Sequence, residues 1–175
     1  MSIENHAWVL PRPASTYPGC FPLYFEIKLL KLLNISPKKH KILQPFGGKS
    51  KYGIKCDINP DTKPDYVCNA EKLPFNDEEF DLVLLDPPYN KEFAKRLYNC
   101  KNPSYKKYTQ EAVRVCREGG YVVVYHMNAT PNIRDTVLYK RIFIENRMWH
   151  QLRCVHIHIK NVDAWYSGRI DDWIC

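Results

Sequence analysis

Asp86-Pro87-Pro88-Tyr89 is the stretch of this chain whose residue types suit chemistry. It stands at the end of the apolar run Phe80-Asp81-Leu82-Val83-Leu84-Leu85. An exocyclic amino nitrogen on a planar ring, as in adenine or cytosine, has its lone pair delocalised into the ring and is a weak nucleophile. A carboxylate and a proline carbonyl can each accept one of its N–H bonds and draw it toward a tetrahedral, reactive shape. A tyrosine ring can stack on the base and hold it there. Pro87 and Pro88 lack an N–H, so they stiffen the backbone and leave carbonyls to point at a substrate. The same four residues also read as a strand followed by a Pro-Pro turn, because Asp-Pro pairs often open loops.

Elements that would position these residues follow from the apolar pattern. Residues 1–20 hold Pro11, Pro13 and Pro18 without clear periodicity and read as an extended N-terminal arm. Leu23 to Leu33 has helical spacing, with Leu23, Ile27, Leu30 and Leu33 on one face and Lys28 and Lys31 outward. Ile42-Leu43 is a short apolar run ending in Gln44-Pro45-Phe46-Gly47-Gly48. Tyr52–Ile58 and the weaker Asp65–Asn69 predict strands, and Phe80–Leu85 predicts a fully buried one. Residues 90–107 are polar and basic and read as a loop or short helix. Tyr108–Arg117 predicts a helix stopped by Glu118-Gly119-Gly120, and Tyr121–Tyr125 a buried strand. Tyr139–Glu145 and Leu152–Ile159 predict an antiparallel pair, which suggests an antiparallel strand at one edge of an otherwise parallel α/β sheet.

A chain of 175 residues is most simply one domain. Its 26 Lys+Arg against 19 Asp+Glu give a net charge of +7, which favours a polyanionic partner, nucleic acid before an anionic membrane surface. No apolar stretch approaches the roughly 20 residues needed to span a bilayer, and Met1 to His6 does not read as a signal peptide. The seven cysteines are scattered, with no Cys-x-x-Cys pair. A cytoplasmic location is therefore expected, with neither a disulfide framework nor a metal site.

Placed together, these pieces resemble the class I S-adenosylmethionine-dependent methyltransferases of the amino-methylating, Asp-Pro-Pro-Tyr group. The resemblance spans roughly residues 17–160, and its most specific part is the string from Asn69 to Val83 that leads into Asp86–Tyr89. It implies a Rossmann-like fold with a mostly parallel sheet and S-adenosylmethionine as cofactor. It also implies cofactor contacts from Tyr17, Pro45, Phe46, Gly47, Gly48, Asp57, Asn69 and Ala70. Tyr17 lies in a segment similar to one that wraps the methionine end of the cofactor. The glycines match the turn after the first strand, and Asp57 the acid that takes the ribose hydroxyls. Asp86, Pro87, Pro88 and Tyr89 become the catalytic residues. Arg114 to Val124 resembles the family's helix, glycine turn and fifth strand.

Two departures stand out. Between Gly48 and Gly53 only Lys49, Ser50, Lys51 and Tyr52 remain, so the helix that normally joins the first two strands must be missing. Asn69 stands where an aspartate is common. Both predict a weak or partner-dependent cofactor site. After the tetrapeptide, Lys91, Lys95, Arg96, Lys101, Lys106 and Lys107 alternate with Phe93, Tyr98, Tyr105 and Tyr108. Cations for phosphates and rings for exposed bases suit a nucleic-acid channel, and a solvated charged face has the same composition. His126 would lie near the cleft as a substrate contact, whereas His156 and His158 read as surface or edge residues. The expected reaction is methylation of an exocyclic amino group of a nucleic-acid base, adenine N6 of DNA first. RNA (adenine N6 or guanine N2) and a catalytically silent scaffold remain the alternatives. The chain leaves no room for an added recognition domain, so low sequence selectivity or a partner subunit is expected.

Overall fold

A computed structural model describes residues 3–13, 20–146 and 151–161. Eight strands form one sheet in the order β1-β7-β8-β6-β5-β2-β3-β4. They are β1 (Glu4–Leu10), β2 (Ile42–Gln44), β3 (Ile54–Asp57), β4 (Tyr66–Val67), β5 (Phe80–Leu85), β6 (Cys116–His126), β7 (Thr136–Asn146) and β8 (Gln151–Lys160). Three α-helices accompany them: α1 (Phe25–Leu32), α2 (Lys91–Tyr98) and α3 (Tyr105–Val115). β8 runs antiparallel to β6 and β7, and every other pair is parallel. This is the mostly parallel, Rossmann-like sheet of the class I fold. No helix among the described residues is long and apolar enough to cross a membrane.

β5 explains the layering. Its residues alternate between two cores, as a strand covered on both faces must. Leu82 and Leu84 pack with Phe25, Leu29, Leu30 and Leu33 of the α1 segment. Val83 and Leu85 pack with Tyr108, Ala112, Val113 and Val115 of α3. The approach to β5 is fastened to α3 by Arg114, which donates to the carbonyls of Leu73 (3.0 Å) and Phe75 (2.9 Å) while pairing with Glu111 and Asp77.

Several elements differ from expectation for local reasons. Glu4–Leu10 is extended but is no arm: it is an edge strand parallel to β7, with His6, Trp8 and Leu10 facing inward. The polar start Glu4-Asn5-His6 hides that alternation. The antiparallel strand is interior, not at the edge, because β7 and β1 add beyond it. His156 and His158 are consequently buried instead of lying at the surface. On α1 the buried side is Phe25, Leu29, Leu30, and Ile27 is exposed. α3 starts at Tyr105 and ends at Val115, and Gly119 (φ 69°) belongs to an irregular stretch of β6 rather than a helix stop.

The first crossover has no helix, as the short spacing requires. Residues 45–53 return directly from β2 to β3, and the two strands pair only at Leu43↔Ile54 and Gln44↔Lys55. So tight a link needs missing side chains. A Cβ on Gly47 would lie 2.6 Å from the Lys55 Cβ, and one on Gly53 (φ 78°) would lie 2.5 Å from the Ile42 carbonyl oxygen. Buried Gln44 ties the link inward: its amide donates to Glu26 of α1 (2.9 Å) and to the Tyr52 carbonyl (2.7 Å) and accepts from Ser50 (2.6 Å). Gly53→Ala is expected to lower unfolding stability by about 3 kcal/mol or more, through backbone strain plus overlap. Gly119→Ala, whose Cβ would meet only the Arg117 guanidinium at an ordinary 3.8 Å, is expected to cost only about 1 kcal/mol. Equal midpoints in urea denaturation would contradict this account of the link.

Candidate active site

β5 delivers Asp86 to the carboxyl edge of the sheet, where open α/β sheets hold their ligands. Two cavities meet there. One, of about 280 Å³, is lined by Pro45, Phe46, Gly48, Asp57, Asn69 and Ala70 from the ends of β2, β3 and β4, and by Tyr98 and residues 100–103 opposite. The other, of about 160 Å³, is lined by Cys20, Pro87, Tyr89, Phe93, Tyr125 and Arg153, among others. Asp86, Pro88 and Tyr98 line both. A group bound in either cavity thus abuts the same carboxylate.

Asp86 is half-buried, with the two cavities on either side of it. Burial pushes its carboxyl up to about 8, against the opposing pull of the Tyr89 hydroxyl, which bonds to it, and of the Arg153 charge. Burial, then the neighbouring Asp86, raises Tyr89 well above the ordinary phenol range, so Tyr89 stays a donor. The Tyr89 ring meets Phe93 (6.0 Å) and His126 (5.2 Å) edge-on, and the Arg153 guanidinium lies 5.3 Å from its centroid. His126 is lowered chiefly by burial, and its Nδ1 accepts from the Asn128 N–H (3.1 Å), leaving a neutral ring with its proton on Nε2.

In the larger cavity the Asp57 carboxylate is held by the Asn59 N–H (2.9 Å) and the Gly48 N–H (3.3 Å). Phe46, Ile58 and Ala70 supply apolar wall. Asn102, in the same lining, has a buried side-chain oxygen that no described group satisfies. A carboxylate for a ribose diol, apolar wall for a ring and an orphan acceptor for an amino group together fit S-adenosylmethionine.

Of the residues expected at the cofactor, Pro45, Phe46, Gly48, Asp57, Asn69 and Ala70 are brought together. Gly47 is not in the lining and serves the close approach to Lys55, and Tyr17 lies outside the described residues. Lys91, Lys95 and Arg96 are exposed on α2, whose Phe93, Leu97 and Tyr98 line the smaller cavity. Lys101 lines the larger one. Lys106 and Lys107 are exposed on α3 and line neither, and Lys107 pairs with Glu71 at 3.7 Å. Arg153 and Asn102 were not expected. Nothing in a β-like run Leu152–Ile159 signals that its first residues reach this site. The signal appears only with topology: β8 is antiparallel, so it begins at the edge where the parallel strands end.

The sign of the Asp86 shift predicts a pH-dependent penalty. Below about pH 4 the carboxyl is neutral in both states. Between pH 4 and 8 the unfolded chain gives up the proton while the folded chain keeps it, so stability falls as pH rises and levels off above 8. Asp86→Asn removes that penalty. The variant is expected to be more stable than the parent, with the gap widening by at most roughly 1.4 kcal/mol per pH unit from pH 5 to 7. Urea melts across that range test it, and a gap independent of pH would refute the buried-acid reading.

The comparisons with known proteins fit this geometry. The family described as "Methyltransferase domain" matches residues 30–124, more than half of the chain. No curated protein matches. Among solved structures, TrmN from Thermus thermophilus is similar with a TM-score of 0.60 and 18% identity over 83% of this chain, which spans only 51% of TrmN. The 1,6-didemethyltoxoflavin-N1-methyltransferase of Burkholderia thailandensis, solved with 1,6-didemethyltoxoflavin and S-adenosylhomocysteine bound, has a TM-score of 0.55 at 10% identity, covering 77% of this chain and 76% of that one. The yhhF protein of Escherichia coli has a TM-score of 0.56 at 14% identity, covering 87% and 92%. At such identities these likenesses carry the fold alone. With the family match and a cleft suited to the cofactor, the chain belongs to the methyltransferase domain family and uses S-adenosylmethionine.

Proposed function

We propose that this methyltransferase acts on the exocyclic amino group of a nucleic-acid base, with adenine N6 of DNA as the favoured target. The observation that carries the reading is the shared wall: Asp86 and Pro88 line both the cofactor cleft and the smaller, aromatic cavity. S-adenosylmethionine supplies an electrophilic methyl group on a cationic sulfur. The chain supplies position and hydrogen bonds. Asp86 in its ionised form and the Pro87 carbonyl accept hydrogen bonds from the two amino N–H groups, concentrating the nitrogen lone pair on the face turned toward the cleft. The surplus proton left on the nitrogen by methylation passes to Asp86. Holding the two reactants in line then accounts for much of the rate. Phe93, Tyr98 and Tyr125 give the cavity the flat apolar walls that a base pulled from its stack requires.

The surface around that cavity supports a polyanion. α2 offers Lys91, Lys95 and Arg96 to solvent against Glu92 alone, on the helix whose other side lines the cavity. Exposed cations beside an aromatic slot suit single-stranded or locally opened substrate. Target selection would then come from a partner subunit or be weak.

Methyl transfer from labelled S-adenosylmethionine to duplex DNA, single-stranded DNA and structured RNA, with Asp86→Ala as control, tests the reading. Label on DNA adenine that disappears in the variant is expected. Label on RNA alone would move the substrate to RNA, and no label on any polymer by the parent chain would overturn a nucleic-acid substrate. Lys95→Gln with Arg96→Gln is expected to weaken binding of a single-stranded oligonucleotide. The salt slope should fall by roughly 0.7 per cation removed. An unchanged slope would exclude α2 from the contact.

A further inference from the structure

We propose that Arg153 reads the substrate, donating a hydrogen bond to the acceptor atom that neighbours the target amino group. The inference rests on the nucleic-acid reading above and extends it to a residue outside the part of the chain that the family match covers. Arg153 lies near the start of β8, where His126 pairs with Cys154 and Val124 with His156. β5 is the next strand beyond β6, with Leu85 beside Val124. The antiparallel run therefore sets Arg153 at the same end of the sheet as Asp86, with β6 between them, and both line the smaller cavity. On β8, Arg153 alternates with Cys154 and shares a side with Val155 and Ile157, which belong to the α1 core. The side chain lines the smaller cavity and lies over Tyr89 at 5.3 Å.

The pairing of groups is informative. Asp86 accepts and Arg153 donates, both into a cavity of about 160 Å³ walled by rings. Adenine presents the complementary set, an amino donor flanked by ring-nitrogen acceptors on either edge. A guanidinium carries five N–H donors in one plane, so it can brace the Tyr89 ring and still present a donor to a base edge. A donor on the ring nitrogen also makes the amino protons more acidic, which strengthens their bonds to Asp86 and the Pro87 carbonyl. The Arg153 charge already acts on Asp86, Tyr89 and His126, so it belongs to the same electrostatic unit as the catalytic carboxylate.

Oligonucleotides carrying adenine, 1-deazaadenine or 7-deazaadenine at the methylated position test this, because each analogue replaces one ring acceptor by C–H. For the parent enzyme, kcat/KM is expected to fall at least tenfold on one analogue, which also identifies the edge being read. Arg153→Met is expected to lose at least tenfold on adenine and to show no further loss on that analogue. Arg153→Lys, which keeps the charge without the planar fork, is expected to recover part of the discrimination. S-adenosylmethionine binding by calorimetry, measured on each variant, is expected to stay within a few-fold of the parent. A merely structural role would lower activity equally on all three bases, so Arg153→Met discriminating as the parent does would overturn the proposal. So would a parent enzyme indifferent to both analogues. A parent enzyme that methylates no oligonucleotide would fail at the prior step and remove the nucleic-acid reading together with this one.

Discussion

Ending a doubly covered strand in a carboxylate is the constraint on which this structure turns. β5 is buried on both faces, so Asp86 leaves the core half-buried between the two cavities, and a partly desolvated acid is costly unless neutral or paired. The surroundings meet that cost only in part: the Tyr89 hydroxyl and the Arg153 charge favour the ionised form, yet burial dominates. An acid held so unfavourably gains from any donor or cation brought beside it. A ligand that brings a hydrogen-bond donor or a positive charge into either cavity relieves that cost, so the acid favours groups of that kind.

The shortened β2–β3 link is a second constraint, with a different consequence. A parallel crossover usually carries a helix because the chain must travel the full length of the sheet to return. Here the pairing is cut to two residue pairs and the return is made by two glycines and a web of bonds on Gln44. Gln44 joins the link to Glu26 of α1, so the floor of the cofactor cleft is braced by the helix on the opposite core. Asp57 is braced in turn by the N–H of Gly48. The link is short but each of its polar groups named here has a partner, which explains how a cleft can survive without its usual helix.

How far this was legible in the sequence depended on the range of the contacts. β5 and Asp86–Tyr89 were legible because a continuous apolar run followed by two prolines is a local signal. The missing helix was legible by counting residues between glycines. β1 was not, since three polar residues at its start mask an inward alternation that only β7 completes. The burial of His156 and His158 was likewise hidden: their strand alternates polar and apolar residues as an exposed strand would. Both are inside because β7 and β1 extend the sheet beyond them, a fact of topology rather than of periodicity. Of the site, residues near the glycine turn and the tetrapeptide were found, while Asn102 was passed over beside Lys101 in the marked basic stretch and Arg153 comes from a distant segment whose local sequence carries no mark of the cleft.

β8 shows why that gap matters. Its odd residues, Val155 and Ile157, close the α1 core, and the same alternation carried one step further ends in Arg153 at the site. Its even residues, Cys154, His156, His158 and Lys160, are all buried on the other face. Burial pushes the two histidines down to about 4 and about 3, so they sit in the sheet as neutral rings. Thr130 donates its N–H to His156 Nδ1 and sets its hydroxyl 2.6 Å from the same nitrogen, and Thr136 meets His158 at 3.0 Å. Thr130 lies in the segment that follows His126, the residue packed edge-on against Tyr89, and Thr136 opens β7 at the end of that segment. The segment between β6 and β7 therefore holds the Nδ1 side of both rings and leads out of the active site, while the His158 Nε2 stays buried without a partner among the described residues. Register on β8 is fixed by these polar contacts as well as by apolar packing, and a slip of one residue would turn Arg153 to the wrong side of the sheet. The family match ends at residue 124, but the cavity beside Asp86 does not. The family match covers the cofactor cleft and Asp86, while Arg153 lines the smaller cavity from a strand beyond it, and likeness of fold does not by itself choose a substrate.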